Sequence, residues 1–256
     1  MSAASETIQC PSGLVGEIRG LKVKELNILA DPRLIKGGRQ VDKILTSCWM
    51  ETQDAGPYDF GDKGISWDKV LQGDRFFTLL KIRSLSLGES YVFDVTCNRT
   101  TCREHFEWEL SLSDLPVKPL PEGYRDIFKS GNRFETKLPS LGKRIWFRLA
   151  VGADEERFAK LRQHNRDRLW SAMLALRIVE IENVKDNDKR QFIEELDISD
   201  AEFLRKEFDV VDCGVETTIE VECPECMTMQ EIELPLGRFF FTEKPRPENP
   251  LAAYSP

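Results

Sequence analysis

The residues best suited to chemistry in this chain are two pairs of cysteines, Cys97 with Cys102 and Cys223 with Cys226. The first pair lies in Val95-Thr96-Cys97-Asn98-Arg99-Thr100-Thr101-Cys102-Arg103-Glu104-His105-Phe106, the second in Val221-Glu222-Cys223-Pro224-Glu225-Cys226-Met227-Thr228-Met229. A thiolate is a soft metal ligand, and two on one tight turn offer half of a tetrahedral site. Together the pairs supply four sulfurs, the complete shell of a structural zinc. The spacing predicts one zinc per chain, held by Cys97, Cys102, Cys223 and Cys226. A catalytic zinc would keep an open position and a base close by. Four sulfurs close the shell, and Glu104, Glu225 and Glu231 follow strand alternation only. The two histidines, His105 and His164, stand in no nucleophile–base pattern, and there is no phosphate loop or Gly-x-Gly-x-x-Gly. The expectation is a protein that binds without catalysis and takes no small-molecule substrate. His105 falls on an alternating strand and is expected to be exposed there. Cys48 and Cys213 are expected to be small core hydrophobes.

Holding these pairs in place requires strand–turn–strand frames. Tyr91-Val92-Phe93-Asp94-Val95 enters the first turn, and Phe106, Trp108 and Leu110 alternate with Glu107 and Glu109 on the way out. Thr217-Thr218-Ile219-Glu220-Val221 enters the second. The expected fold is α+β, with helical N-terminal and middle segments around a small antiparallel β region and two cysteine hairpins forming a zinc-ribbon-like clip. In order, the chain reads as a flexible N-terminus (1–13), a helical segment (14–88), and the first cysteine hairpin with a proline-rich connector (89–121). A small β region (122–152) and a second helical segment (153–212) follow. The second hairpin (213–243) packs with the first, and a proline-rich tail (244–256) ends the chain.

Within the helical segments, Val23, Leu26 and Ala30 share one helix face, and Val41, Ile44, Leu45 and Cys48 share another, with Gly37-Gly38 as the loop between. Ser66 predicts the N-cap of a core helix starting at Trp67 and ending at Gly88. Strands are expected over 134–138 and 144–149, and one helix over 169–184. Ser199-Asp200-Ala201-Glu202 has the form of a capping box.

The chain has 256 residues, 41% hydrophobic and 31% charged, with net charge −8. An acidic balance excludes a sequence-independent nucleic-acid binder, which needs a dominant basic surface. No apolar run reaches the length of a membrane span, and the N-terminus lacks the pattern of a secretory signal. Seven cysteines without an export signal favour reduced thiols and metal over disulfides. Arg157, Lys160, Arg162, Arg166 and Arg168 make one helix locally basic, and Asp154, Glu155 and Glu156 balance it as a solvated face. Phe239, Phe240 and Phe241 cannot all face one way in a strand, so this triplet is the candidate partner-binding anchor.

Several short motifs together carry a resemblance. They are Gly20-Leu21-Lys22, Glu25, Asn27, Leu29-Ala30-Asp31, Ile44-Leu45, Cys48, Gly56-Pro57-Tyr58, Leu71, Gly73-Asp74-Arg75, Leu79-Leu80, Ile82-Arg83, Phe106-Glu107-Trp108-Glu109-Leu110 and Leu115-Pro116-Val117-Lys118-Pro119-Leu120-Pro121. With the later cysteine hairpin, they resemble the T4-type bacteriophage baseplate hub family over roughly residues 14–240. Its members are described as hub subunits or hub assembly chaperones of contractile tails. The resemblance implies a non-enzymatic structural or assembly protein whose partners are other hub or wedge proteins, in the host cytoplasm during assembly and in the virion tail baseplate. Family members often carry Cys-x2-Cys in both hairpins, whereas the first hairpin here is Cys-x4-Cys. The alternative is a zinc-ribbon module that binds nucleic acid or serves transcription.

Overall fold

A computed structural model describes residues 5–31, 34, 39–164, 169–235 and 240–241, the side chains of 162–164 excepted. Gly37-Gly38, Arg166, Arg168, Phe239 and the tail from 244 lie outside the described residues, as does the side chain of Arg162. The helices are α1 Val23–Ala30, α2 Gln40–Cys48, α3 Gln72–Leu87, α4 Glu122–Lys129, α5 Gly152–His164, α6 Leu169–Arg177, α7 Lys189–Glu194 and α8 Ile198–Val211. The strands are β1 Ser5–Gln9, β2 Val15–Arg19, β3 Trp49–Asp54, β4 Ser90–Thr96, β5 His105–Ser111, β6 Val117–Lys118, β7 Phe134–Lys137, β8 Arg144–Phe147, β9 Ile178–Ile181, β10 Gly214–Val215, β11 Thr218–Glu222 and β12 Met229–Glu233. The chain divides into two units: Met1–Ile82 with Pro116–Val215, and Arg83–Leu115 with Glu216–Pro256.

The first unit holds two antiparallel three-stranded sheets, ordered β1-β2-β3 and β7-β8-β9, and the short pair β6–β10. Leu14, Ile18, Ile44, Leu45, Cys48, Val70 and Leu71 form a fully buried core around the first sheet and α2. On the second sheet Phe147 stacks on Phe134 at 5.6 Å and meets Phe208 of α8 at 4.8 Å. Leu204, Phe208 and Val211 are the buried residues that give α8 its apolar stripe.

Several expectations change here. Residues 5–9 are a strand rather than part of a flexible lead. The 10–13 turn closes with Cys10 N–H donating to Leu14 O at 2.8 Å, and Ile8, Cys10 and Ser12 are buried. The helix predicted from Trp67 starts at Gln72, leaving Trp67–Lys69 as a single tight turn. Val70 and Leu71 are held extended because Gln72 N–H donates to Ala150 O at 3.1 Å and Gly152 N–H to Val70 O at 2.9 Å. The run 169–184 splits, because Ile178-Val179-Glu180-Ile181 alternates and completes a sheet on β8. The 122–152 region also holds α4. The cap of α8 is Asp197, and Asp200 instead accepts a hydrogen bond from Ser140 N–H at 3.1 Å.

Gly73-Asp74-Arg75 organises the start of α3. A side chain at Gly73 would place its Cβ 1.9 Å from Cys213 O, so only glycine permits this approach of backbones. Asp74 is fully buried and accepts from Ser12 N–H at 2.9 Å, from the Ser12 hydroxyl, and from Tyr58 OH at 2.5 Å. The Tyr58 oxygen in turn accepts from Leu71 N–H at 3.1 Å. Burial pushes the Asp74 carboxyl above its ordinary range, against the pull of these donors. Arg75, 1% exposed, donates to Glu155 at 2.8 and 2.9 Å, to Asp42 at 2.6 Å and to Trp67 O at 2.7 Å. A buried guanidinium is tolerated only with its donors satisfied in this way. Asp74→Ala would leave three buried donors without their acceptor. It is expected to lower unfolding free energy by about 3 kcal/mol, as measured by urea titration, without changing the far-UV spectrum of the folded form.

Candidate metal centre

The second unit is built on two antiparallel ribbons. β4 pairs with β5 from Ser90↔Ser111 to Thr96↔His105, and β11 pairs with β12 from Thr218↔Glu233 to Glu222↔Met229. Tyr91, Phe93 and Val95 are the buried members of β4, and Val221 and Gln230 are those of β11 and β12. The cysteines begin where each ladder ends. Cys97 N–H donates to Glu104 O at 2.8 Å, and Cys223 N–H to Thr228 O at 3.0 Å. The residue after the second cysteine of each pair is left-handed, Arg103 at φ +59° and Met227 at φ +55°. This shared turn brings both thiols of a pair to one side, although the pairs differ in spacing.

The four Sγ atoms lie within 4.8 Å of one another. Cys97 Sγ is 3.7 Å from Cys226 Sγ, and Cys102 Sγ is 3.8 Å from Cys223 Sγ, so each close contact joins one ribbon to the other. A tetrahedron with metal–sulfur bonds of about 2.3 Å has edges of about 3.8 Å. A disulfide would need about 2.05 Å, and all seven cysteines are free. Cys97 and Cys223 are fully buried, whereas Cys102 and Cys226 are partly open to solvent.

The thiols do not ionise alike. A hydrogen bond between Cys226 Sγ and Thr228 Oγ1, 3.3 Å long, and one with the Thr228 backbone draw Cys226 down to about 6. At Cys102 a backbone hydrogen bond at Glu104 lowers the thiol, but burial and the neighbouring cysteines raise it to about 12. At Cys97 a backbone hydrogen bond at Arg99 likewise lowers the thiol, and burial with Cys226 and Cys223 outweighs it. Four sulfurs this close cannot all carry charge without a cation among them, and the donor set suits zinc.

Gln230 supports the arrangement from behind. It is 4% exposed; its Oε1 accepts from Asn98 N–H at 2.7 Å, and its Nε2 donates to Thr96 O at 3.3 Å. One side chain of the second ribbon thus fixes the backbone on either side of Cys97. Its signal in sequence was a polar residue at an inward position of an alternating strand, opposite Val221. The left-handed Arg103 and Met227 had no such signal, because that position is commonly a glycine.

Residues outside the cluster fall as follows. His105 is exposed, with Nδ1 2.9 Å from Thr96 Oγ1. Cys10, Cys48 and Cys213 are buried, and burial is the leading cause that pushes their thiols up, Cys48 to about 11. Phe240 is 4% exposed, 5.4 Å from the Tyr91 ring and 4.8 Å from Phe241, and its carbonyl accepts from Arg83 Nε at 3.3 Å. Tyr91 OH donates to Pro235 O at 2.5 Å. Phe240 therefore ties the C-terminal segment to β4, and only Phe241 of the described pair keeps a partly open ring. In the basic helix Lys160 meets Glu156 at 2.8 Å on an exposed face. Asp154, however, is buried and accepts from Arg148 at 2.5 and 2.7 Å, with Arg157 at 3.5 Å, and Glu155 serves the buried Arg75, so the acidic turn is not the solvated balance expected.

A family model described as T4 bacteriophage base plate protein matches residues 3–241. The chain belongs to this family. No curated protein and no solved structure matches it. Membership implies a structural protein of the phage tail baseplate, in contact with other baseplate proteins. Among the described residues, no helix of this baseplate protein is long and apolar enough to cross a membrane.

Two substitutions test the supports. Gln230→Ala orphans Asn98 N–H and is expected to cost about 1–3 kcal/mol by denaturant titration. Met227→Gly relieves a left-handed residue at some cost in chain entropy and is expected to raise stability by about 0.5–1 kcal/mol.

Proposed function

We propose that this chain is a non-enzymatic hub or wedge subunit, or an assembly chaperone, of a contractile-tail baseplate, and that Cys97, Cys102, Cys223 and Cys226 hold one structural zinc. The observation that carries the metal reading is the convergence of four sulfurs within 4.8 Å from turns 121 or more residues apart in the chain. Bound there, zinc supplies folding energy, on the order of 10 kcal/mol in small zinc domains, and no reactive position. The residues do the rest: Thr228 prepares the Cys226 thiolate, Gln230 sets the Cys97 backbone, and the left-handed residues aim each pair.

The charge balance supports protein partners over nucleic acid. Arg83–Leu115 and Glu216–Pro256 contain 14 Asp and Glu against 6 Lys and Arg, so the unit with the cysteine turns accounts for the chain's entire −8. Phosphate backbones are repelled by such a surface. The docking elements on this reading are the exposed ribbon faces and Phe241, and the protein works in the host cytoplasm during assembly and, as a subunit, in the tail.

Metal analysis of the reduced protein is expected to give about one zinc per chain, and Cys223→Ser to abolish it together with most of the second unit's stability. Cys97 and Cys102 hold their protons at neutral pH in the metal-free chain, so zinc loading at pH 7 should release at least two protons, read with an indicator dye in weak buffer. The sign runs the same way in acid: falling pH returns protons to sulfur and displaces the metal. A protein that takes up no metal under reducing conditions overturns the zinc assignment. Probing disrupted phage particles for the chain tests the baseplate role separately.

A further inference from the structure

The first unit carries an apolar groove of about 540 Å³ between α6 and α8, lined by Trp170, Met173, Leu174, Leu196, Ile198 and Phe208. Ile198 is 82% exposed, Trp170 71% and Met173 45%. Large side chains at such exposure, converging on one hollow, cost solubility unless something covers them. Nothing in the metal centre uses them.

The charges beside the groove indicate what covers it. Arg205, Glu202 and Asp209 line it from α8, while Arg177 on α6 is paired with Asp212 at 3.0 Å. Arg205 reaches Glu202 at 3.0 Å and Asp209 at 3.6 Å, so both signs alternate along one exposed face of α8. A basic or acidic partner would be met by a rim of the opposite sign. A rim that carries both signs, Arg205 beside Glu202, complements a second copy of itself. The apolar surface does the same, since one face presents both a protruding indole and a hollow to receive one. Self-complementarity of shape and charge is what a two-fold contact between identical chains requires.

We propose that a second copy of this chain occupies the groove. The Trp170 side chain of each copy enters the hollow of the other, about a two-fold axis that passes between Glu202 and Arg205. Glu202 of one copy then faces Arg205 of the other, twice over. A buried tryptophan ringed by paired charges has the composition of an interface anchor. This inference is independent of the zinc site, which lies in the other unit.

Sedimentation equilibrium of the full metal-loaded chain at tens of micromolar tests it. The expected result is a concentration-dependent shift from 29.4 kDa toward twice that mass. Trp170→Ser should weaken self-association at least tenfold while leaving the far-UV spectrum and melting temperature unchanged, since the residue is exposed. Glu202→Arg and Arg205→Glu should each weaken it about tenfold, and the double variant should return to within a few-fold of the parent. A chain that stays monomeric at every concentration overturns the proposal. So does a dimer indifferent to Trp170→Ser, or a double variant no better than its parents.

Discussion

Cys97 meets Cys226 and Cys102 meets Cys223 across 129 and 121 residues of intervening chain. Closing a loop of that length costs about 4 kcal/mol in chain entropy. Isolated two-stranded ribbons are marginal in water, and among the described residues neither β4–β5 nor β11–β12 extends into a larger sheet. The sulfur cluster is therefore the constraint on which the second unit depends. Side-chain packing of Tyr91, Phe93 and Val95 contributes, but a ribbon with one apolar face needs its partner held in register. Hydrogen bonds of Gln230 across the ribbons set that register, and on the proposed reading a metal among the sulfurs makes it persistent.

The first unit is held by other means. Its centre combines an aliphatic core with buried ions, of which Arg75, Arg19 and Glu25 are matched donor for acceptor. Arg75 is shared by Glu155, Asp42 and a carbonyl, and Arg19 is shared by Glu25 at 2.8 Å and Ser47 O at 2.6 Å. Glu25 is itself fully buried and also accepts from Lys22 N–H at 2.8 Å. These are the residues that carried the family resemblance: Glu25, Tyr58, Gly73, Asp74 and Arg75. Of these, Glu25, Tyr58, Asp74 and Arg75 are buried and hydrogen-bonded, which gives these polar residues a structural part in the fold. Each would be costly if its partner were lost, and each partner lies on a different element.

The cysteine turns were legible because two independent patterns coincided, strand alternation and paired thiols. The face of α2 was legible by period, whereas Val23, Leu26 and Ala30, which share a face of α1, are exposed and the residue α1 buries is Glu25. What was not legible depended on partners distant in sequence. Val70 and Leu71 look helical until residues 150–152 bind them, and 178–181 looks like more of α6 until β8 offers an edge. Ser5–Gln9 has too little apolar content to declare a strand, and β2 supplies the ladder that makes it one. Gln230 was visible only as an anomaly of alternation, because its role is defined by Asn98 and Thr96, more than a hundred residues earlier.

The outward faces of the ribbons sharpen the case for a metal over charge pairing as the link. Glu220 stands directly across from Glu231. Like charges in cross-strand pairs each cost a few tenths of a kcal/mol or more. Both ribbons are exposed and acidic on that side, so their charges oppose rather than assist association. The inner faces supply the attraction, and they are short: two residues of β11–β12 are fully buried, Val221 and Gln230. A divalent cation bound by four sulfurs gains its energy from coordination, which neither the acidic faces nor the small buried area can weaken greatly. A strongly acidic unit can thus keep two ribbons together while leaving its outer faces free for recognition by other proteins.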